Sequence, residues 1–173
     1  MFLRNFMYKY LPDYIAEGIL DINYKKLYEM GIRGLCFDID NTLTEMYNDT
    51  IHNKAFTLIK DLQNMGFSLC ISSNASKKRT ALIAGRFGLE YVYRAFKPYK
   101  KGFDKVLLML NLPANKCAMI GDQLFTDIKG GRKAGFLTIL TKRINDHESW
   151  NVRLKRIFEN KILIKYEKRI KEI

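Results

Sequence analysis

Short, wholly apolar runs alternate along this chain with longer stretches whose apolar positions recur every three or four residues. The runs Ile32 to Phe37, Phe67 to Ile71, Tyr91 to Tyr93, Cys117 to Ile120 and Phe136 to Leu140 read as buried strands. Between them, His52 to Met65 carries Ala55, Leu58, Ile59 and Leu62 on one helical face, and Gly66 closes it. Ser76 is placed to cap a helix running to Phe87, with Gly88 as its stop. Further helices are expected over Tyr24 to Met30, Gly102 to Asn111 and Leu124 to Ala134, the last ended by Gly135. Phe2, Leu3, Phe6, Met7 and Tyr10 share one helical face before Pro12 interrupts, and 150–172 forms a long basic helical pattern. Apolar strands separated by helices of this length predict right-handed βαβ units and an α/β fold with a five-stranded, mainly parallel sheet covered on both faces.

The 173 residues, 47% hydrophobic, are enough for one ordinary core. We expect a single domain over 1–173: a helical lead-in (1–31), a core (32–140), and a loop with a basic C-terminal helix (141–173). Cys36, Cys70 and Cys117 all lie in predicted strands without CxxC spacing, which argues for buried reduced thiols rather than a disulfide frame or a zinc site. Two histidines, His52 and His147, exclude a His-rich metal centre. The first ten residues lack an unbroken apolar core and a small-residue cleavage site, so no signal peptide is expected. No apolar run approaches the ~20 residues that span a bilayer. Cytoplasmic residence is the expectation, with peripheral attachment to the inner face of a membrane as an option.

Charge adds a direction. The formal net charge is +12, yet Asp and Glu outnumber Lys and Arg by three over 34–75, whereas basic residues lead by seven over 76–105 and by five over 141–173. The basic sections suit an anionic partner: a phosphorylated substrate, an anionic membrane or, less readily, nucleic acid; a solvated basic surface kept for solubility is the plain alternative.

The candidate chemistry collects at strand ends. The first apolar run finishes in Asp38-Ile39-Asp40-Asn41-Thr42. Two carboxylates on alternate residues can play different parts, one attacking phosphorus while the other donates and later accepts a proton. A bound cation on Asp38 would leave Asp40 freer to act as the acid. The same pair also suits a simple turn. Gly121-Asp122 follows another strand, with Asp127 near the first turn of the next helix, where it would also complement the helix dipole. Mg²⁺, which needs few carboxylates and keeps waters, fits this oxygen-rich set. Ser73-Asn74 precedes a helix N-terminus, a favourable phosphate site as well as an ordinary cap. Lys97, before Pro98, could screen charge between a carboxylate and a phosphate.

These pieces, in this order, resemble the haloacid dehalogenase (HAD) superfamily of phosphohydrolases. Asp38, Asp40 and Thr42 match its first motif, Ser73 its second, Lys97 its third, and Gly121, Asp122, Thr126 and Asp127 its fourth. The resemblance implies a three-layer Rossmann-like fold. It also implies Asp38 as nucleophile, Asp40 as general acid/base, and Mg²⁺ on Asp38, the Asp40 main-chain carbonyl and Asp122 with Asp127 in support. Ser73 and Lys97, with Asn74 beside them, would hold the phosphate. Only Leu43 to Ile51 separates the first motif from its helix, and one helix and a short strand fill the space from Asn74 to Lys97, so the chain looks capless. Leu11-Pro12, the Gly31-Ile32-Arg33-Gly34 lead-in and the Gly-Asp-Gln-Leu-x-Thr-Asp form are similar to the YqeG-type class IIIA branch and to phosphatidylglycerophosphate phosphatases. That implies a lipid phosphomonoester as substrate. A soluble or nucleic-acid phosphomonoester, and a non-catalytic binding module on the same scaffold, are the alternatives. The basic helix Val152 to Tyr166, with Phe2, Phe6 and Tyr10 as aromatic anchors, could lie in a membrane interface or simply cover the sheet. Oligomeric state leaves no mark in the sequence.

Overall fold

A computed structural model describes residues 10–46, 48, 50–145, 150–166 and 170–173, the side chain of Asn151 excepted. Phe2, Leu3, Phe6 and Met7 of the expected N-terminal helix, and His147, lie outside the described residues.

The centre is β2 (Gly34–Phe37), in which every residue is buried. It pairs in parallel with β3 (Ser68–Ser72) on one side and β5 (Cys117–Gly121) on the other. β4 (Glu90–Val92) continues beyond β3, and β6 (Leu137–Thr141) beyond β5. The strands read from sequence are therefore all present, and all their pairings are parallel. Period-two alternation divides the core. Leu35 and Phe37 join Ile59, Leu62, Ile83 and Phe87 on one face, covered by α1 (Tyr24–Glu29), α2 (Asn53–Asn64) and α3 (Lys77–Phe87). Cys36, Cys70, Cys117 and Met119 join Phe103, Val106 and Phe136 on the other, under α4 (Lys100–Leu110) and α5 (Lys129–Ala134). The three thiols are free and buried, as their apolar surroundings require. Ser76 caps α3 by accepting from the Arg79 amide, and Gly88 ends the helix at φ +67°.

Among the described residues the sheet has seven strands rather than five: β1 (Tyr14–Ala16) and β7 (Lys171–Glu172) extend it beyond β6, in the order β4-β3-β2-β5-β6-β1-β7. β1 (Tyr14–Ala16) lies in the stretch expected to be a helical lead-in and pairs with β6, Tyr14 opposite Ile139. Asp13 fixes it: one carboxylate oxygen accepts from the Thr138 amide and hydroxyl, both at 2.8 Å, and the other from Arg132 at 2.6 Å. Three half-buried residues after a proline offer no alternation to read, so only this tertiary anchor makes them a strand. β7 (Lys171–Glu172) is a two-residue exposed edge beside β1. The C-terminal helix α6 (Trp150–Tyr166) thus stops short of the expected 172. Leu124 to Ala134 is also not one α-helix: Leu124–Ile128 forms a π-helical turn before α5 begins.

The described residues of 38–52 form no helix or strand between β2 and α2, and α3 is the one helix between β3 and β4, which is the capless arrangement. Because β2 is flanked by β3 and β5, the strand order reverses beside it. In open α/β sheets ligands bind at such a point, outside the carboxyl ends of the strands.

Candidate active site

Register builds the site. Phe37 pairs with Ile120, and the Asp38 amide donates to the Ile120 carbonyl at 2.9 Å, so Asp38 leaves β2 level with Gly121 and Asp122 leaving β5. The chain then folds back on the Ile39 carbonyl, which accepts from the amides of Thr42, Leu43 and Thr44 at 3.0–3.2 Å, while Asn41 takes φ +60°. This tight turn separates the two carboxylates. Asp38 stays buried, whereas Asp40 is half-buried and its Oδ1 accepts from Arg79 Nη2 at 2.7 Å and Nε at 3.2 Å.

One carboxylate oxygen of each of Asp38, Asp122 and Asp127 lies within 4.8 Å of the others, and all three residues are buried. Asp127 is brought there by the π-helical turn. Its Oδ2 accepts from the Gln123 amide at 3.1 Å, so it caps the turn as well as joining the cluster. Gly121 makes the approach possible, because a Cβ at that position would lie 2.6 Å from the Asp127 carboxylate.

Lys97 enters from the loop after β4. Its Nζ sits 2.7 Å from Asp38 Oδ1, 2.5 Å from Asp127 Oδ1 and 2.8 Å from the Ser72 carbonyl. The contacts to Asp38 and to the Ser72 carbonyl are hydrogen bonds and that to Asp127 is a close ion pair, so the ammonium meets an incoming phosphate chiefly as a charge. The Asn74 side chain fixes its backbone: Oδ1 accepts from the Lys97 amide at 2.8 Å, and the amide nitrogen donates to the Lys97 carbonyl at 3.2 Å. Asn74 is thus committed to positioning Lys97. Ser73 is buried, its hydroxyl accepting from the Ala75 amide at 3.0 Å, and Thr42 is buried with its hydroxyl lacking a hydrogen-bond partner.

The electrostatics follow from burial. Desolvation pushes the Asp38 carboxyl up to about 7; Lys97 opposes the rise, and Asp127 and Asp40 add to it. Burial also raises Asp122, against the pull of Arg156. For Lys97 burial acts downward, but the Asp127 and Asp38 carboxylates outweigh it and hold the ammonium above the ordinary lysine range. Asp38, Asp122, Asp127 and Glu159 against Lys97 and Arg156 leave this buried cluster short of two positive charges, and Asp122 Oδ1 is buried with no hydrogen-bond partner. Both features suit one divalent, oxygen-seeking cation.

A family model described as haloacid dehalogenase-like hydrolase matches residues 45–135, a span that holds Ser73, Asn74, Lys97, Gly121, Asp122 and Asp127 and begins after Asp38 and Asp40. A curated relative, "Probable phosphatase YqeG" of Bacillus subtilis (strain 168), is 31% identical over 154 residues, covering 89% of this chain and 90% of the relative. The chain belongs to the HAD-like hydrolase family. Another relative in the same comparison is "Phosphatidylglycerophosphate phosphatase 1, chloroplastic/mitochondrial" of Arabidopsis thaliana. It is 25% identical over 147 residues, 80% of this chain but 42% of the longer plant protein. The cobalt-bound deoxy-D-mannose-octulosonate 8-phosphate phosphatase of Haemophilus influenzae shares the HAD fold. Its TM-score is 0.54 at 14% identity, over 78% of this chain and 88% of that one.

Three residues of this HAD site were not singled out from sequence as part of it. Arg79, on Asp40, stands in the basic run Lys77-Lys78-Arg79 that opens α3. Cations are unfavourable at a helix N-terminus, and that misfit was the available signal. Arg156 counted among the basic residues of the C-terminal helix, but it is buried and its guanidinium donates to both the carboxylate and the carbonyl of Asp122. Glu159, buried beside it, is the one acidic residue over 150–166.

Proposed function

We propose that this chain hydrolyses phosphoric monoesters by double displacement, with Asp38 as nucleophile and Asp40 as general acid and base. The observation that carries this reading is the buried set Asp38, Lys97, Asp127 and Asp122 at the point where the strand order reverses. Asp38 attacks phosphorus in line, and the departing alcohol takes its proton from Asp40. Asp40 then removes a proton from water as that water cleaves the aspartyl-phosphate, releasing inorganic phosphate and returning Asp38 to its carboxylate and Asp40 to its protonated form. Arg79 holds Asp40 through Oδ1. Lys97 offsets the repulsion between nucleophile and phosphate, and Ser73 would bind a phosphate oxygen. Asp38, Asp122 and Asp127 would hold Mg²⁺, which when bound supplies charge neutralisation at the phosphoryl oxygens.

For the substrate we infer phosphatidylglycerophosphate, converted to phosphatidylglycerol. The names of the plant relative and of a second, algal one support this inference. So does α6, which exposes Trp150, Leu154, Ile157, Phe158 and Ile164 among Arg153, Lys155, Lys161 and Lys165. An exposed apolar stripe flanked by cations and ended by a tryptophan suits an anionic membrane surface. No described helix is long and apolar enough to cross a membrane. The test compares kcat/KM for phosphatidylglycerophosphate in mixed micelles with a panel of soluble phosphomonoesters and 3′-phosphorylated oligonucleotides. Soluble esters matching the lipid would sink the lipid reading. Asp38→Asn should abolish turnover on every substrate while leaving the fold intact, and substantial residual turnover would remove Asp38 from its role.

A further inference from the structure

α6 turns two charged side chains inward. Arg156 Nη2 donates to Asp122 Oδ2, and Nη1 donates to the Asp122 carbonyl and, at 3.0 Å, to Glu159 Oε2. The other Glu159 oxygen accepts from the Phe125 amide at 3.1 Å. The helix therefore grips Asp122 and Phe125, where the chain enters the π-helical turn that carries Asp127. A guanidinium on Asp122 could act in two opposite ways. It could stand in for a cation and block the site, or it could orient the carboxylate for one. Charge decides between them. Among the described residues, Glu159 matches the charge of Arg156, so the pair adds nothing net and the cluster of Asp38, Asp122, Asp127 and Lys97 keeps its deficit of two. A plug would not need Glu159. Arg156 also takes Oδ2 and leaves the buried Oδ1 without a hydrogen-bond partner.

We propose that Arg156, itself held by Glu159, is a positioning residue that fixes the Asp122 carboxylate for divalent-cation binding. This rests on the metal-site reading above. Partners that orient a metal ligand typically change metal affinity by about 10–100-fold. Isothermal titration of the intact metal-free protein with Mg²⁺ gives the reference affinity. Arg156→Ala and Glu159→Gln should each weaken Mg²⁺ binding by roughly that factor. Arg156→Lys should recover part of the loss, and Lys60→Ala, exposed on α2 and away from the site, should leave Mg²⁺ affinity unchanged. Steady-state turnover adds a second readout: the Mg²⁺ concentration for half activity should rise in Arg156→Ala, with most of kcat regained at saturating Mg²⁺. Glu159→Gln keeps the shape of the side chain and carries the test if Arg156→Ala fails to fold. Tighter Mg²⁺ binding in Arg156→Ala would show a plug and overturn the proposal. A lower melting temperature with unchanged Mg²⁺ affinity would show a mere helix anchor and overturn it equally. If the intact protein binds no Mg²⁺, the metal-site reading itself falls; if it does and the variants match it, only this proposal falls.

Discussion

Replacing Lys97 by methionine tests the charge balance at the centre of the site. Methionine keeps an apolar stem of similar reach and removes the ammonium. In the native site that ammonium lies 2.7 Å from Asp38 and 2.5 Å from Asp127, and the three side chains are at most 8% exposed. Removing one partner of a buried ion pair typically costs ~3–5 kcal/mol, because the remaining charge is neither solvated nor matched. In a chain of this length that corresponds to a melting temperature lower by roughly 6–20 °C for the metal-free protein. The pH dependence sharpens the expectation. The Asp38 carboxyl stands at about 7 in the fold against an ordinary 3.8, raised by burial and opposed by Lys97. A raised carboxyl contributes stability that is complete below its unfolded value and is lost as pH climbs through the folded one. Without Lys97 the folded value rises further. The gap between variant and native protein should therefore widen above pH 7, by up to about 1.4 kcal/mol per pH unit for that one proton. Thermal melts in chelator at several pH values between acid and mild alkali measure both quantities. A variant that melts with the native protein, or a gap that narrows as pH rises, would refute the reasoning.

Magnesium affinity should itself depend on pH. A cation entering the cluster must displace the proton that Asp38 retains below about 7, so affinity should climb by up to tenfold per pH unit through weak acid and level off above neutrality. Calorimetry in two buffers of different ionisation heat reads the released proton, and a flat affinity across that range would count against Asp38 as a ligand. Gly121→Ala should destabilise the protein by about 1–3 kcal/mol, since the new methyl would fall 2.6 Å from the Asp127 carboxylate. Denaturant melts measure that cost, and a neutral substitution would mean that Asp127 can move away freely.

The carboxylates of the site and Lys97 were legible in the sequence, and the two arginines were not. Asp38, Asp122 and the central strands announce themselves because a wholly apolar run that ends in a carboxylate has few uses. Parallel pairing then brings two such ends together. Arg79 and Arg156 are cations in helices already rich in cations, and nothing in their spacing says which one turns inward. The same limit applies to the sheet. β2 and β5 are buried on both faces and read as unbroken apolar runs, whereas β1 depends on Asp13 reaching across to Thr138, 125 residues away. β7 pairs through backbone alone with a charged, exposed sequence.

α6 reverses the usual arrangement of a surface helix. A helix that covers a sheet ordinarily faces its apolar stripe inward. Here Arg156 and Glu159 are buried with Ile162, while Trp150, Leu154, Ile157, Phe158 and Ile164 face outward. Two consequences follow from that inversion. The inward contact joins polar and apolar parts: Arg156 and Glu159 complete the surroundings of Asp122, and Ile162, Leu163 and Tyr166 pack with Leu124, Ile128 and Leu140. The outward stripe has no such partner among the described residues and gains most from an apolar surface brought to it. In the lipid-phosphatase reading one helix therefore serves both needs. Its outer face meets the membrane that holds the substrate, and its inner face sets a carboxylate of the site that must receive the phosphate. Disturbing the outer face should then change the dependence of turnover on lipid, while disturbing the inner face should change the dependence on Mg²⁺. That separation of effects is what two faces of one helix require.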